Sequence, residues 1–380
     1  MQMTAEKKVR ASLQNNYIEP VPVIPKIWVD FSANYTGTPF TEVLRDPLVA
    51  LDVIADTGSS LGFDGVRQFP FPAKKIVENE GKLFEVDKKG KKLGTIDIQG
   101  GMSTQLFDND YYNIEDPYII SHFQHWKTSE PVVNSKEDAE KIAVPEKDLF
   151  DELNWYANQK KVCDKYDNDM CYIQDLNSAT MSFYIALRGM QQAMFDLVEN
   201  PSLVHTVMEK GAQIAVSRGK YWLDKGFKVL RLNDSTGNLS LISAGYWKEY
   251  IYPYIKDICL QLHSYDDNAL IYCHICGDVL GIAEDLVETG LDCIGPLDPL
   301  GGFSVKDFRR RVGDGISLMG GVNTLTLLEK NSDEVKRESH RCIKQAGNNS
   351  GYILGSGCVV PRDCPKENLA AMVQAAKDVK

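Results

Sequence analysis

A histidine and a cysteine two residues apart at the end of a strand are half of a zinc site, and His274 and Cys276 form such a pair. The run 268–278 is apolar from Ala269 to Cys273 and turns at Gly277, the pattern of a buried strand ending in a turn. Side chains alternate along a strand, so His274 and Cys276 share one face while Cys273 and Ile275 take the other. Cys273 and Cys276 also have C-x-x-C spacing, but the same alternation points them apart and argues against a redox pair. Catalytic zinc keeps three protein ligands and one open position, so a third soft ligand is required. The best candidate is Cys358, in 350–361, a second apolar run that opens into a Gly-rich turn. The bland alternative is a chance pairing, with each cysteine a small buried hydrophobe.

The chain has 380 residues, 43% of them hydrophobic, enough for one large α/β barrel or for two domains. A net charge of −11 argues against general binding to nucleic acid or to anionic membranes. Residues 1–10 lack the apolar core of a signal peptide, and no apolar run approaches a membrane span, so a cytoplasmic protein is expected. In that compartment the nine cysteines, an odd number without scaffold spacing, are expected to be reduced and any functional ones to be metal ligands.

Eight strands are expected to position the ligands. The first two are read at 23–29 and 62–70, separated by a helical pattern that Thr41 caps and that runs around Pro47 to about Ser60. The other six are read at 171–175, 227–232, 269–273, 292–296, 316–319 and 352–354. Helical patterns cover 185–198, 201–224, 244–265, 279–289, 304–312, 332–346 and 366–378. That is the count of a (β/α)8 TIM barrel, a single domain over 1–380 with an N-terminal extension and an insertion at about 73–169 after the second strand. Within the insertion, 82–98 alternates apolar and polar around a Lys-Gly-Lys turn, the pattern of an exposed hairpin. The stretch 100–107 and the aromatic pair Tyr111 and Tyr112 are candidates to cover an active site, and helices are expected at Lys136 and after Pro145.

Barrel chemistry sits at the carboxyl ends of the strands, where His274, Cys276 and Cys358 fall together with Asp30, Asp175, Asn177, Asn233, Asp234 and Asp298. Ligands on two non-adjacent strands can converge on one metal because the barrel is narrow. Asp175 and Asp234 read as proton donors or as partners orienting His274, with helix capping the commoner use of such a residue. Asp30, Tyr35, Phe69, Asn177 and Asn233 are the expected substrate contacts.

The stretches 272–278, 319–323 and 351–361, with the closing segment from Lys366, resemble the uroporphyrinogen decarboxylase superfamily. Within it they are similar to the zinc-dependent, corrinoid-linked methyltransferases. The resemblance covers most of 170–380 well, the first seventy residues weakly and the insertion hardly at all. It implies a (β/α)8 barrel with zinc on His274, Cys276 and Cys358. It also implies a corrinoid (cobalamin) brought by a partner protein, since the chain lacks the Asp-x-His-x-x-Gly pattern of corrinoid-binding domains.

Two reactions use this ligand set. A zinc-held thiolate can attack a methyl-cobalt corrinoid, as in the coenzyme M methyltransferases, or zinc can act as a Lewis acid on a methyl ether whose methyl passes to the corrinoid. The large aromatic insertion and the stretch 233–238 depart from the coenzyme M group, which favours an aryl methyl ether and O-demethylation. A porphyrinogen decarboxylase is a poorer match, because the Arg-containing signature expected after Pro25 is replaced by 26–35. The competitor from another class is a barrel that binds a small ligand without catalysis. The expected partners are a corrinoid protein and a small methyl donor or acceptor, with no nucleic acid and no membrane, and a homodimer is compatible with the sequence.

Overall fold

The structure, a computed structural model, describes residues 3–98, 101–166 and 170–379. Gly100, at the head of the stretch proposed to cover the site, lies outside them. Seven parallel strands stand side by side in chain order: Gly65–Gln68, Cys171–Ser178, Val229–Asn233, Leu270–His274, Cys293–Leu297, Ser317–Val322 and Tyr352–Ser356. Helices alternate with them, as a (β/α)8 barrel requires.

The eighth position is filled by a single bridge. Val23 pairs in parallel with Leu354, while its carbonyl accepts the Asp64 N–H at 3.0 Å on the opposite edge. This corrects the expected first strand over 23–29. Proline cannot donate to a ladder, and Pro20, Pro22 and Pro25 punctuate the segment. The N–H groups that remain are used at once, Val23 to the Asp64 carboxylate at 2.9 Å and Ile24 to the Leu354 carbonyl at 2.8 Å. A helix, Val29–Thr36, begins where the strand was expected to end, so Asp30 sits in a first helical turn and not at a strand end.

Other departures have equally local causes. The helix expected over 185–198 is two, Met181–Arg188 and Met190–Glu199, parted by Gly189 at φ 76°. The one expected over 244–265 breaks at Ile251, just ahead of Pro253. Thr41 caps nothing: the helix Phe40–Arg45 starts after Pro39, and Asp46 caps the next one, Pro47–Leu61, by accepting the Leu48 N–H.

Strand alternation divides the core in two. Ile173, Tyr272, Met319 and Ile353 point into the barrel, where Val9 and Leu13 of the N-terminal helix Ala5–Leu13 join them. That helix meets Cys171, Val229, Leu270 and Cys293, the residues that start their strands, and so plugs the bottom of the barrel. Cys273 belongs to the outer cluster between sheet and helices, which leaves Tyr272 and His274 facing inward. The insertion builds a five-stranded sheet containing the expected hairpin, with Phe84 opposite Thr95. Its Ile76, Ile96, Leu106 and Trp126 share the outer hydrophobic cluster with the barrel. Among the described residues no helix is long and apolar enough to cross a membrane.

Candidate metal centre and adjoining cavity

His274 ends its strand and Cys276 follows two residues later, where Gly277 at φ 88° turns the chain. Asp298 braces this turn from the end of the neighbouring strand, accepting the Gly277 N–H at 3.1 Å and the Leu300 N–H at 3.0 Å. Cys358 follows the strand Tyr352–Ser356. The Ser356 hydroxyl donates to the Cys358 carbonyl at 2.6 Å and accepts the Lys26 N–H at 2.9 Å, tying the last turn to the bridging segment. The two turns come from non-adjacent strands, yet the ligand atoms of His274, Cys276 and Cys358 all lie within 4.8 Å of one another. His274 is buried and both cysteines are half-buried, so the cluster opens toward the mouth. All nine cysteines are free thiols.

The electrostatics suit a cation. Cys276 donates to Cys358, and that hydrogen bond, aided by Lys26 and the Val359 N–H against burial and Asp298, lowers the Cys358 thiol to about 6. The same hydrogen bond, with burial, pushes Cys276 up, so the pair readily holds one proton between two sulfurs. Lys26 Nζ lies 2.7 Å from His274 Nε2. Burial, then Arg231 and Arg67, push the Lys26 amine well below its usual range, although Cys358 and Cys276 pull the other way. Burial, then Lys26 and the two arginines, keep the His274 ring neutral, the form that binds metal.

Beside this cluster lies a cavity of about 340 Å³ lined by Lys26, Trp28, Asp30, Arg67, Phe69, Gly101, Gln124, Asp175, Asn177, Arg231, Asn233, Ser235 and Val359. Four of the five expected substrate contacts are there, Asp30, Phe69, Asn177 and Asn233. Tyr35 is not: it stacks on Phe31 at 6.3 Å and packs against the outer core. Asp30 holds the Phe31 N–H at 2.8 Å and Arg362 Nε at 3.3 Å.

The two candidate acids part company. Asp175 lines the cavity between two guanidiniums, with Arg67 Nε at 3.3 Å and Arg231 Nη1 in a shorter hydrogen bond. Burial opposes its charge, but Arg231, Arg67 and the Asn177 N–H outweigh it and hold the carboxyl below its usual range. An ionised carboxylate has no proton to give, so this geometry suits an anchor for the arginines better than a proton donor. Asp234 is absent from the cavity lining. Its oxygens accept Thr180 Oγ1 and the Ser182 N–H, each at 2.6 Å, where the helix Met181–Arg188 begins. Asp234 therefore caps no helix of its own, since Ser243 caps the one that follows it, but it braces the start of a helix from the end of the neighbouring strand.

Lys26, Trp28, Arg67 and Arg231 were missed in the sequence. The signal was present for Arg67 and Arg231, each a cation inside a short, otherwise buried strand, a place where charge needs a partner.

Residues 127–379 match the family described as uroporphyrinogen decarboxylase (URO-D), a match that begins inside the insertion. The uroporphyrinogen decarboxylase of Pelodictyon phaeoclathratiforme is 24% identical over 260 residues, spanning 65% of this chain and 71% of that protein. A methylated-thiol coenzyme M methyltransferase of Methanosarcina mazei is 27% identical over 180 residues, 47% of this chain and 46% of its own length. A solved methyltransferase from Methanosarcina mazei superposes with a TM-score of 0.70 over 99% of each chain at 15% identity, which shows a common fold.

Proposed function

The chain belongs to the uroporphyrinogen decarboxylase family, and from that membership we propose that it is a zinc-dependent methyltransferase of the corrinoid-linked branch. It moves a methyl group between a small substrate, an aryl methyl ether in the favoured reading, and the cobalt of a corrinoid carried by a partner protein. The observation that carries this reading is the gathering of one imidazole and two thiols within 4.8 Å at the mouth. A decarboxylase has no use for two thiols there, while zinc has use for all three donors.

The donor set fits zinc: a neutral imidazole, a thiol that ionises near neutral pH and a second thiol beside it. His274, Cys276 and Cys358 would hold the ion, which supplies a Lewis acid for an ether oxygen or a seat for a thiolate. The chain's own groups do the remaining work. Trp28 and Phe69, with ring centroids 5.6 Å apart, give the cavity an aromatic wall that suits a flat substrate. Asp175 fixes Arg67 and Arg231, and Asp298 fixes the turn that presents Cys276.

The test uses zinc-loaded protein in two assays, aryl methyl ethers with Co(I) cobalamin, following formation of methyl-Co(III), and thiols with methylcobalamin, following its conversion to Co(I). Methyl transfer lost in Cys358→Ala is the expected result. Turnover of neither class, with decarboxylation of a porphyrinogen instead, would overturn the reading.

A further inference from the structure

A second cavity, of about 490 Å³, opens where the insertion meets the barrel helix Pro47–Leu61. Phe71, Tyr118, His122 and Trp155 give it aromatic walls, and the exposed Glu152 and Lys161 complete a polar rim. Buried polar atoms without a partner gather at this seam. Among the described residues none is found for His122 Nε2, His125 Nε2, Trp155 Nε1 or Arg218 Nε. Arg218 donates to the Ser121 carbonyl and holds its guanidinium 5.1 Å from the Trp155 ring centroid, while His122 stands edge-on to Trp155 at 5.8 Å. Two of these atoms, His122 Nε2 and Trp155 Nε1, belong to residues of the cavity lining. His122 Nδ1 lies 3.1 Å from the Tyr118 carbonyl, which can only accept, so the ring carries its proton there and Nε2 is a bare lone pair. The Trp155 indole N–H can only donate. Both side chains are more than nine-tenths buried, where a polar atom left unpaired costs free energy.

We propose that this cavity is a second ligand site, for a neutral aromatic ring bearing a hydroxyl group, whose O–H donates to His122 Nε2 and whose oxygen accepts from Trp155 Nε1. A hydroxyl donates and accepts at one atom, which is what the lone pair and the indole N–H together require. A carboxylate or a phenolate has no proton for the lone pair. An organic cation meets an unfavourable field, because burial, then Arg218 and Lys74, lower the His122 ring to about 3 against the pull of the Tyr118 carbonyl. The aromatic walls receive the ring itself. This site does not rest on the methyl-transfer reading, and one layer of rings separates it from the mouth. Phe71 lines it, Phe69 lines the mouth cavity, and the two stand edge to face at 5.3 Å with Trp28 packed on both. An occupant therefore buttresses the aromatic wall of the mouth from behind.

Saturation-transfer NMR titrations on the purified full chain, with phenol, toluene and benzyltrimethylammonium as probes, test this apart from catalysis. Phenol is expected to bind roughly tenfold or more tightly than toluene, the worth of two buried hydrogen bonds, and the cation is expected not to bind. Ala73→Trp sets a large ring at an exposed position of the lining and is expected to abolish phenol binding. His122→Phe keeps a ring, removes the lone pair and is expected to bring phenol down to the level of toluene. Should that variant misfold, Ala73→Trp still decides, because its new side chain starts outside the core. Phenol no tighter than toluene would mean that water alone serves the two atoms and would overturn the site. Phenol binding that survives Ala73→Trp would place the ligand elsewhere and overturn it equally. Absence of methyl transfer in the cobalamin assays would remove that reading and leave this site standing.

Discussion

Lys26 Nζ stands 2.7 Å from His274 Nε2, so a basic side chain already touches the imidazole of the soft-ligand cluster. Its amine also lies close enough to Cys276 and Cys358 for their charge to raise its pKa. Burial and the two arginines nonetheless hold that amine well below its usual range, so the side chain beside the three donors sheds its charge readily.

The purified protein is expected to carry about one zinc per chain, with His274→Ala and Cys358→Ala each losing it. Lys26→Met removes the amine that competes with an ion for His274 Nε2 and should tighten zinc by roughly tenfold. Competition with a chromogenic chelator measures this. Weaker binding would instead make Lys26 a ligand in its own right.

Stripping the metal is expected to leave the fold intact, because the barrel core between sheet and helices is closed without the cluster. Far-ultraviolet circular dichroism of the apo protein should superpose on that of the loaded one, with the melting temperature lower only by mass action. Loss of cooperative unfolding in the apo form would mark a structural zinc.

How far the sequence led depended on the range of the interaction. Helices set by periodicity and local breakers were legible, and Pro201–Asp224, Ser332–Ala346 and Lys366–Asp378 have the bounds read from the chain. The ligand cluster was legible because alternation and a Gly-turn place side chains predictably at a strand end. The Arg67–Asp175–Arg231 arrangement was not, because it joins three strands whose pairing no local pattern states. The bridge at Val23 was misread because apolar β-branched residues mask the effect of the prolines around them.

Acid stability should report on Asp196, whose carboxylate is fully buried and takes Arg188 Nε at 2.7 Å and Tyr184 OH at 2.7 Å. Burial alone would raise its pKa, but Arg188, Tyr184, Asn200 and Gln192 outweigh it and bring it to about 2. A folded-state value below the unfolded one stabilises above the unfolded value, and that gain is lost as pH falls through the folded value. Stability of the natural protein relative to Asp196→Asn should therefore drop by about 2 to 3 kcal/mol between roughly pH 5 and pH 2. Parallel urea midpoints for the two proteins over that range would contradict it.

The plug at the bottom of the barrel is tight at Gly351, where a methyl group would meet the Ser12 carbonyl oxygen at 1.9 Å. Gly351→Ala must push the N-terminal helix away and should cost about 1 to 3 kcal/mol or more. Gly315, with nothing within 4 Å of the same position, is the control, and Gly315→Ala should change stability by no more than about 0.5 kcal/mol. Equal urea midpoints for the two variants would mean that the plug is loose.

The most informative single substitution is Asp175→Asn. It keeps shape while leaving Arg67 and Arg231 buried together without their shared carboxylate. Breaking a buried pair leaves charge uncompensated, and here two guanidiniums lose their counterion at once, so a destabilisation of about 3 to 5 kcal/mol is expected. Asp234→Asn is the comparison. Burial already raises the Asp234 carboxyl, and its partners are the Thr180 hydroxyl and the Ser182 N–H, so losing its charge should cost about 1 kcal/mol. The two aspartates are equally buried, which removes size and depth as explanations of any difference. A variant as stable as its parent would show that Asp175 does not balance the charge of this cavity.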